Sequence, residues 1–139
     1  MEHTKAGFKA LRETVGYTIS ELAEVLQVNE RTARRWEGMT DTKYYGAPPG
    51  VWEWLEEARA RQIDRENDAL AVYYALIDEG ERPDAVELPY YQSQSHYETT
   101  RREDGDEEER YTVANATNRH IAERLADEGV EVRFVFPRN

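Results

Sequence analysis

The stretch "TISELAEVLQVNERTARRWE", residues 18–37, decides the fold of the N-terminal part of this sequence. Thr18 is followed three residues later by Glu21, which is the spacing of a capping box and predicts the start of a helix. The buried stripe of that helix is predicted from its apolar residues, Leu22, Ala23 and Leu26. The small side chain of Ala23 would let a neighbouring helix cross closely.

A second short helix is predicted after the turn "QVN", residues 27–29. Asn29 can cap it, and it would run through Trp36. Ala33 and Trp36 lie three residues apart and would face the core, while Val28 seals the corner. Two short helices joined in this way, the second of them basic, form a helix-turn-helix. A generic three-helix bundle with solvated arginines is the alternative.

A further helix is predicted upstream, in "GFKALRETVG", residues 7–16. Phe8, Leu11 and Val15 make its apolar stripe, and Gly16 would end the helix. Downstream, Pro48 and Pro49 favour a new helix start. Its apolar positions include Val51, Trp54, Leu55 and Ala58. Trp52 and Trp54 would complete the N-terminal core, with exposure of Trp52 at an interface as the alternative.

Residues 18–37 resemble the helix-turn-helix of the phage-repressor and xenobiotic-response-element group. That family's pattern runs roughly T-Q-x-x-L-A-x-x-L-G-V-S-x-x-T-[IV]-x-x-W-E. The matching positions are Thr18, Leu22, Ala23, Leu26, Val28, Thr32, Trp36 and Glu37, with Asn29 as an equivalent cap. Ile19 replaces the usual glutamine, which removes one expected phosphate contact. Gln27 replaces the turn glycine, which costs strain if that residue must be left-handed.

The resemblance implies that the third helix lies in the major groove of DNA. Carried over by position, the residues that read bases are Glu30, Arg31 and Arg35. An arginine fork suits the O6 and N7 acceptors of guanine, and a glutamate can accept from a cytosine amino group. The predicted contacts to the DNA backbone come from Thr18, Asn29, Thr32, Arg34, Lys43 and Tyr44. An intrahelical Glu30–Arg34 pair beside exposed arginines is the alternative interpretation.

The net charge of −11 is distributed unevenly along the 139 residues. Residues 1–47 contain seven basic and seven acidic side chains, so residues 48–139 carry the whole excess of negative charge. A neutral front with a local arginine cluster is compatible with a nucleic-acid partner. The acidic rear leaves open a second class of function, an antitoxin- or adaptor-type module whose C-terminal domain binds a protein partner.

The rear of the chain predicts a small α+β unit. Whether residues 49–79 form one helix or two cannot be decided from the pattern. "AVELPYYQSQSHYETT", residues 85–100, is rich in β-formers and has a proline typical of an edge strand. "YTVANATNRHIAERLADEG", residues 111–129, predicts a short strand followed by a helix. "VEVRFVFP", residues 130–137, alternates like a closing strand.

The order of these elements also resembles a narrower group, the small two-domain proteins that include anti-CRISPR-associated autorepressors and their bacterial relatives. The matching stretches are "YALIDEGERPDAVELPYY", residues 74–91, and "NATNRHIAERLADEG", residues 115–129. The resemblance implies a DNA-binding domain over residues 1–62 and a dimerisation domain over residues 63–139. It also implies a homodimeric repressor that reads a palindromic operator. The acidic insertion at residues 101–110 is left unexplained.

Enzymatic function has little support in the sequence. The chain has no cysteine, no P-loop, no glycine-rich dinucleotide motif and no nucleophile elbow. His120 and Glu123 could share a metal with His96, and "DGDEEE", residues 104–109, could suggest calcium, but neither has supporting motif spacing. We therefore expect no catalysis, cofactor or metal.

Membrane association is not expected either. No apolar run approaches the roughly 20 residues that span a bilayer. Residues 1–13 also lack the apolar core of a signal peptide. We expect a cytoplasmic protein without a membrane partner.

Overall fold

The computed structural model describes residues 2–39, 46–101 and 109–138. Over these ranges the chain is mainly helical, with a small two-stranded parallel sheet near the C-terminus. The predicted class, mainly α with a small α+β C-terminal part, is thereby confirmed. The elements in chain order are α1 (Lys5–Val15), α2 (Ile19–Leu26), α3 (Glu30–Trp36), α4 (Pro49–Asp78), β1 (Val86–Pro89), α5 (Gln94–Thr100), α6 (Tyr111–Asp127) and β2 (Val132–Val135).

The predicted C-terminus of α1 and the predicted N-terminus of α2 are confirmed. Gly16 ends α1 in a left-handed conformation, at φ 109°, and its N–H donates to the carbonyl of Arg12. At the start of α2, the Thr18 hydroxyl accepts from the backbone N–H of Glu21 at 3.1 Å. The Glu21 carboxylate in turn accepts from the N–H of Thr18 at 2.9 Å. Both bonds of the capping box are therefore present, which fixes where α2 begins.

Aromatic side chains fill the core around α1. The Phe8 ring packs in T-shaped geometry with Trp36 and with Trp52, at centroid distances of 6.0 and 5.4 Å. Trp52 is only 3% exposed, so it belongs to the core and not to an interface. Trp54, placed on the apolar stripe by the sequence, is instead half-buried and stacks on Tyr17. The core therefore holds α3 through Trp36, the last residue of that helix.

Residues 49–78 form a single helix of 30 residues, α4. Contacts divide the chain into two compact units, Met1–Arg61 and Gln62–Asn139, and the boundary falls inside this helix. None of the described helices combines the length and the apolar character needed to cross a bilayer.

The second unit has its own core, formed where α4 and α6 meet the sheet. Leu70 and Tyr73 from α4 pack with Ile121 and Leu125 from α6. Partly buried residues close around them, among them Val86, Leu88, Val130 and Val132. β1 and β2 run parallel, with Val86 opposite Val132 and Leu88 opposite Phe134. The predicted closing strand at the end of the chain is thereby confirmed.

Two predictions for this unit are wrong. The strand expected at the start of residues 111–129 does not form, since α6 begins at Tyr111. Five consecutive residues, 113–117, are buried there, so packing overrides the β-propensity of Val113 and Thr117. Residues 94–100, expected to be strand-like, form α5, whose first turn is capped by the Ser93 hydroxyl accepting from the His96 N–H.

Alkaline pH is expected to destabilise the second unit through Tyr97. Burial, followed by the charge of Glu109, raises the pKa of Tyr97 from 10.0 to about 12. Its hydroxyl donates to Glu109 at 3.0 Å. Tyr97 ionises at a lower pH in the unfolded chain than in the folded chain. Its contribution to the free energy of unfolding is therefore complete below pH 10 and disappears as the pH rises towards 12. Denaturant titrations across this interval should show a loss of about 2 kcal/mol from this residue.

Tyr97→Phe is the matched control, because it keeps the ring and removes the ionisable hydroxyl. Its stability should fall less over the same pH interval than that of the wild type. An equal fall in both proteins would assign the alkaline effect to other tyrosines.

Candidate nucleic-acid interface

The turn between α2 and α3 sets the geometry of the candidate interface. Gln27 adopts φ 55° and ψ 43°, the left-handed conformation that the family pattern assigns to glycine. Its N–H donates to the carbonyl of Glu24, and the N–H of Val28 donates to the carbonyl of Ala23 at 2.9 Å. These bonds end α2 and redirect the chain into α3, so the turn is built despite the missing glycine.

Gln27→Gly is expected to stabilise the protein by about 0.5 kcal/mol. A residue with a Cβ atom pays roughly 1–2 kcal/mol in the left-handed region, and glycine offsets part of that gain through its freer unfolded chain. Gln27→Ala keeps the Cβ atom and should give no such gain. Denaturant midpoints of the three proteins make the comparison, and a destabilised Gln27→Gly variant would show that the glutamine side chain stabilises the turn.

α3 is amphipathic over its seven residues. The Asn29 side chain accepts from the N–H of Arg31 at 2.8 Å, which is the predicted N-cap. Ala33 is fully buried and Trp36 is 6% exposed. The other five residues of the helix are exposed, namely Glu30, Arg31, Thr32, Arg34 and Arg35. Three of these five are arginines, so the outer face of α3 is basic.

Glu30 is engaged within the protein. Its Oε1 accepts from the Ser20 hydroxyl at 2.9 Å and from Arg34 Nη2 at 2.7 Å. The hydrogen bond from Ser20, followed by that from Arg34, lowers the pKa of Glu30. The pair raised as an alternative from the sequence is therefore present, and it links α3 to α2. Both bonds fall on Oε1, so Oε2 is without a hydrogen-bond partner among the described residues.

The two predicted arginine readers lie on the exposed side of α3. Arg31 and Arg35 are four residues apart, which places them on one face of a helix. Within the described part of the chain, the Arg31 side chain has no hydrogen bond or ion pair. This arrangement leaves at least one guanidinium fork of α3 available for an external acceptor.

The residues predicted to touch the DNA backbone surround this face. Thr18 and Asn29 both lie exposed at helix N-termini, where each caps its own helix. The Asn29 amide nitrogen has no hydrogen bond to the described residues. Thr32 and Arg34 are exposed on α3. Lys43 and Tyr44 lie outside the described residues.

A nearly buried ion pair joins α1 to the C-terminal end of α3, and it was not predicted from the sequence. Arg12 on α1 donates from Nε and Nη2 to the two carboxylate oxygens of Glu37, at 2.9 and 2.8 Å. The third nitrogen, Nη1, donates to the carbonyl of Tyr17 at 2.7 Å. The two charged side chains are only 11% and 10% exposed. Glu37 matches the family pattern, but nothing in the sequence identified Arg12, 25 residues earlier, as its partner.

His96, which was considered above as a metal ligand, forms hydrogen bonds within the protein through both ring nitrogens. Nδ1 of His96 accepts from the N–H of Gln92 at 3.0 Å, and Nε2 lies 2.8 Å from the carbonyl oxygen of Pro137. Both ring nitrogens are thus used to hold α5 and the segment after β2. In the described ranges, histidines and carboxylates form no group suited to a metal ion.

Neither the protein-family models nor the curated proteins include a match to this sequence. The features of the chain that indicate a function are therefore the geometry of α3 and the groups that hold it.

Proposed function

We propose that the chain is a sequence-specific transcriptional regulator that binds double-stranded DNA as a homodimeric repressor. The observation that carries the proposal is the outer face of α3, where arginines are exposed on a helix whose inner face is locked into a core. In this proposal α2 and α3 act as a helix-turn-helix, and α3 enters the major groove. Occupancy of a promoter is sufficient for repression, so no catalysis is required.

Arg31 and Arg35 are the proposed readers of guanine, through bidentate bonds to O6 and N7. Glu30 is the third proposed reader, because Oε2 can accept from a cytosine amino group while Oε1 holds Arg34. The bond from Ser20 ties this glutamate to α2, so its position in the groove would be set before DNA binds. Preorganisation of this kind lowers the entropic cost of recognition.

Thr18, Asn29, Thr32 and Arg34 are the proposed phosphate contacts, and Lys43 and Tyr44 are proposed with them from the sequence. Such contacts fix the register of α3 on the duplex without reading bases. The acidic charge of residues 48–139 opposes DNA, so the affinity of one reading head would be low. A dimer overcomes this weakness, with residues 1–62 as the reading domain and residues 63–139 as the dimerisation domain in the cytoplasm.

Selection from random duplex DNA by the purified full chain tests this proposal. We expect enrichment of a palindrome with half-sites about one helical turn, roughly 34 Å, apart. Binding to the enriched site should weaken steeply as salt rises, because released counterions drive it. No enrichment would contradict the proposal, and a basic protein that co-purifies in stoichiometric amount would favour the adaptor-type alternative.

A further inference from the structure

The two edges of the small sheet differ in their ability to accept another strand. The outer edge of β1 is closed. Pro89 has no N–H to offer, and its carbonyl accepts from the Asn118 amide at 2.8 Å. Beyond it, the N–H and the carbonyl of Tyr91 are both bonded to the Asn115 side chain, each at 2.8 Å. No further strand can pair along this edge without breaking those bonds.

The outer edge of β2 is open. The N–H of Val86 donates to the carbonyl of Glu131 at 2.9 Å, and the N–H of Tyr90 donates to that of Val135 at 2.8 Å. Strands in a parallel ladder bond their partner through alternate residues. Val132, Phe134 and Phe136 therefore direct their N–H and carbonyl groups away from β1. Within the described residues these groups have no hydrogen-bond partner.

The open edge is also apolar. Phe134 is 44% exposed and Phe136 is 59% exposed. Natural proteins usually protect such an edge with proline, a charged side chain or a covering element, because it invites pairing with another chain. β1 has this protection and β2 does not, apart from the single charge of Arg133, which lies 3.7 Å from Glu87.

We propose that β2 pairs in antiparallel fashion with β2 of a second copy, in a register centred on Phe134. The resulting sheet has four strands, in the order β1-β2-β2-β1. This inference deepens the proposed function, on which it rests for the need of a dimer, by naming the surface that joins the two copies.

The strand is complementary to itself in this register. Phe134 lies opposite Phe134 of the second copy, and Val132 lies opposite Phe136. All of these residues point their backbone groups towards the partner, so each opposed pair can exchange two hydrogen bonds. Arg133 falls opposite Val135, which avoids a like-charge pair across the interface. The apolar side chains of both copies meet on one face of the sheet.

The closed edge of β1 limits the assembly to a dimer. Pairing of β2 with β1 of another copy would be head-to-tail and could continue into a fibre. Pairing of β2 with itself uses the same surface on both copies, and the described sheet then ends on both sides at the edge of β1, which Asn115 and Asn118 close. The difference between the two edges therefore favours a closed two-fold dimer.

Cross-linking of single-cysteine variants tests the register directly, because the natural chain contains no cysteine. Phe134→Cys should form a disulfide-linked dimer on mild oxidation, since opposed residues in a hydrogen-bonded antiparallel pair have Cα atoms about 5.5 Å apart. Arg133→Cys is the matched control and should remain uncross-linked, because position 133 faces position 135. Equal cross-linking of both variants, or none of Phe134→Cys, would overturn the proposed register.

A charge-swap experiment tests the same contact in the non-covalent dimer without DNA. Phe134→Glu and Phe134→Lys should each raise the dimer dissociation constant by about 100-fold or more, because like charges meet at the two-fold axis. An equimolar mixture of the two should regain the dimer in sedimentation velocity. A wild-type monomer, or a mixture that stays monomeric beside a wild-type dimer, would overturn this interface. The DNA selection is judged separately, since a protein without this dimer can still enrich a half-site.

Discussion

Replacing Arg31 and Arg35 together by alanine is expected to remove the preference of the protein for its selected DNA site. Each bidentate contact to guanine contributes about 1–3 kcal/mol of discrimination, so two such contacts correspond to a loss of about 100-fold or more in affinity. Both residues are exposed, and neither belongs to the core. The fold should therefore survive, and fluorescence anisotropy on the selected and a scrambled duplex measures the effect.

Arg34→Ala is the matched control for this pair, because it removes an arginine from the same helix. We propose Arg34 as a phosphate contact, so its loss should weaken binding to all sequences alike and reduce the salt dependence. Normal binding of the double variant to its operator would show that the base-reading residues are assigned wrongly. A loss of guanine preference in Arg34→Ala alone would contradict the assignment of Arg34 to a phosphate. A loss confined to the cytosine position would instead trace to Glu30, whose Oε1 accepts from Arg34.

Glu37→Ala is expected to destabilise the protein by about 3–5 kcal/mol. The substitution leaves the Arg12 guanidinium nearly buried, with its two charge-assisted bonds to Glu37 lost. A loss of this size approaches the whole stability of a small domain. Thermal and denaturant unfolding of the full chain should show it clearly, and DNA binding should fall with the folded fraction.

Arg12→Met combined with Glu37→Met removes both charges. Comparing it with Glu37→Ala separates the destabilisation caused by an unpaired Arg12 from the net stabilisation that the ion pair provides. Buried ion pairs can often be exchanged for apolar residues at little cost. The double variant should therefore be much more stable than Glu37→Ala. If the single variant were as stable as the wild type, the pair would not hold α3 in place.

The first unit was predictable because its signals are local. The spacing of Thr18 and Glu21 predicts a capping box within four residues, and Asn29 indicates the start of the next helix. Ala33 and Trp36 lie on the inner face because of spacing alone. The partner of Glu37 was not predictable, since an ion pair between residues 25 apart leaves no periodic trace.

The second unit was harder to predict because tertiary contacts override local preference there. Val113 and Thr117 carry β-branched side chains, yet they are buried inside α6. The amides of Asn115 and Asn118 look like ordinary polar residues in the sequence. Only the structure shows that they bond the backbone of the segment 89–91 and close one edge of the sheet. The closing strand was predictable, since simple alternation marks it.

The same contrast applies to the candidate site. Arg31 and Arg35 could be singled out from their spacing and from the family pattern, and the structure leaves both exposed. The role of Ser20 in holding Glu30 could not, because the two residues lie on different helices and meet only through the turn at Gln27.

The most direct test of DNA reading by α3 is methylation interference on the selected duplex, which probes guanine N7 in the major groove. We predict that methylation of at least one guanine in each half-site blocks the wild-type protein. The same modification should have no further effect on the Arg31→Ala, Arg35→Ala double variant. Wild-type binding that is indifferent to guanine N7 methylation throughout the site would contradict the account.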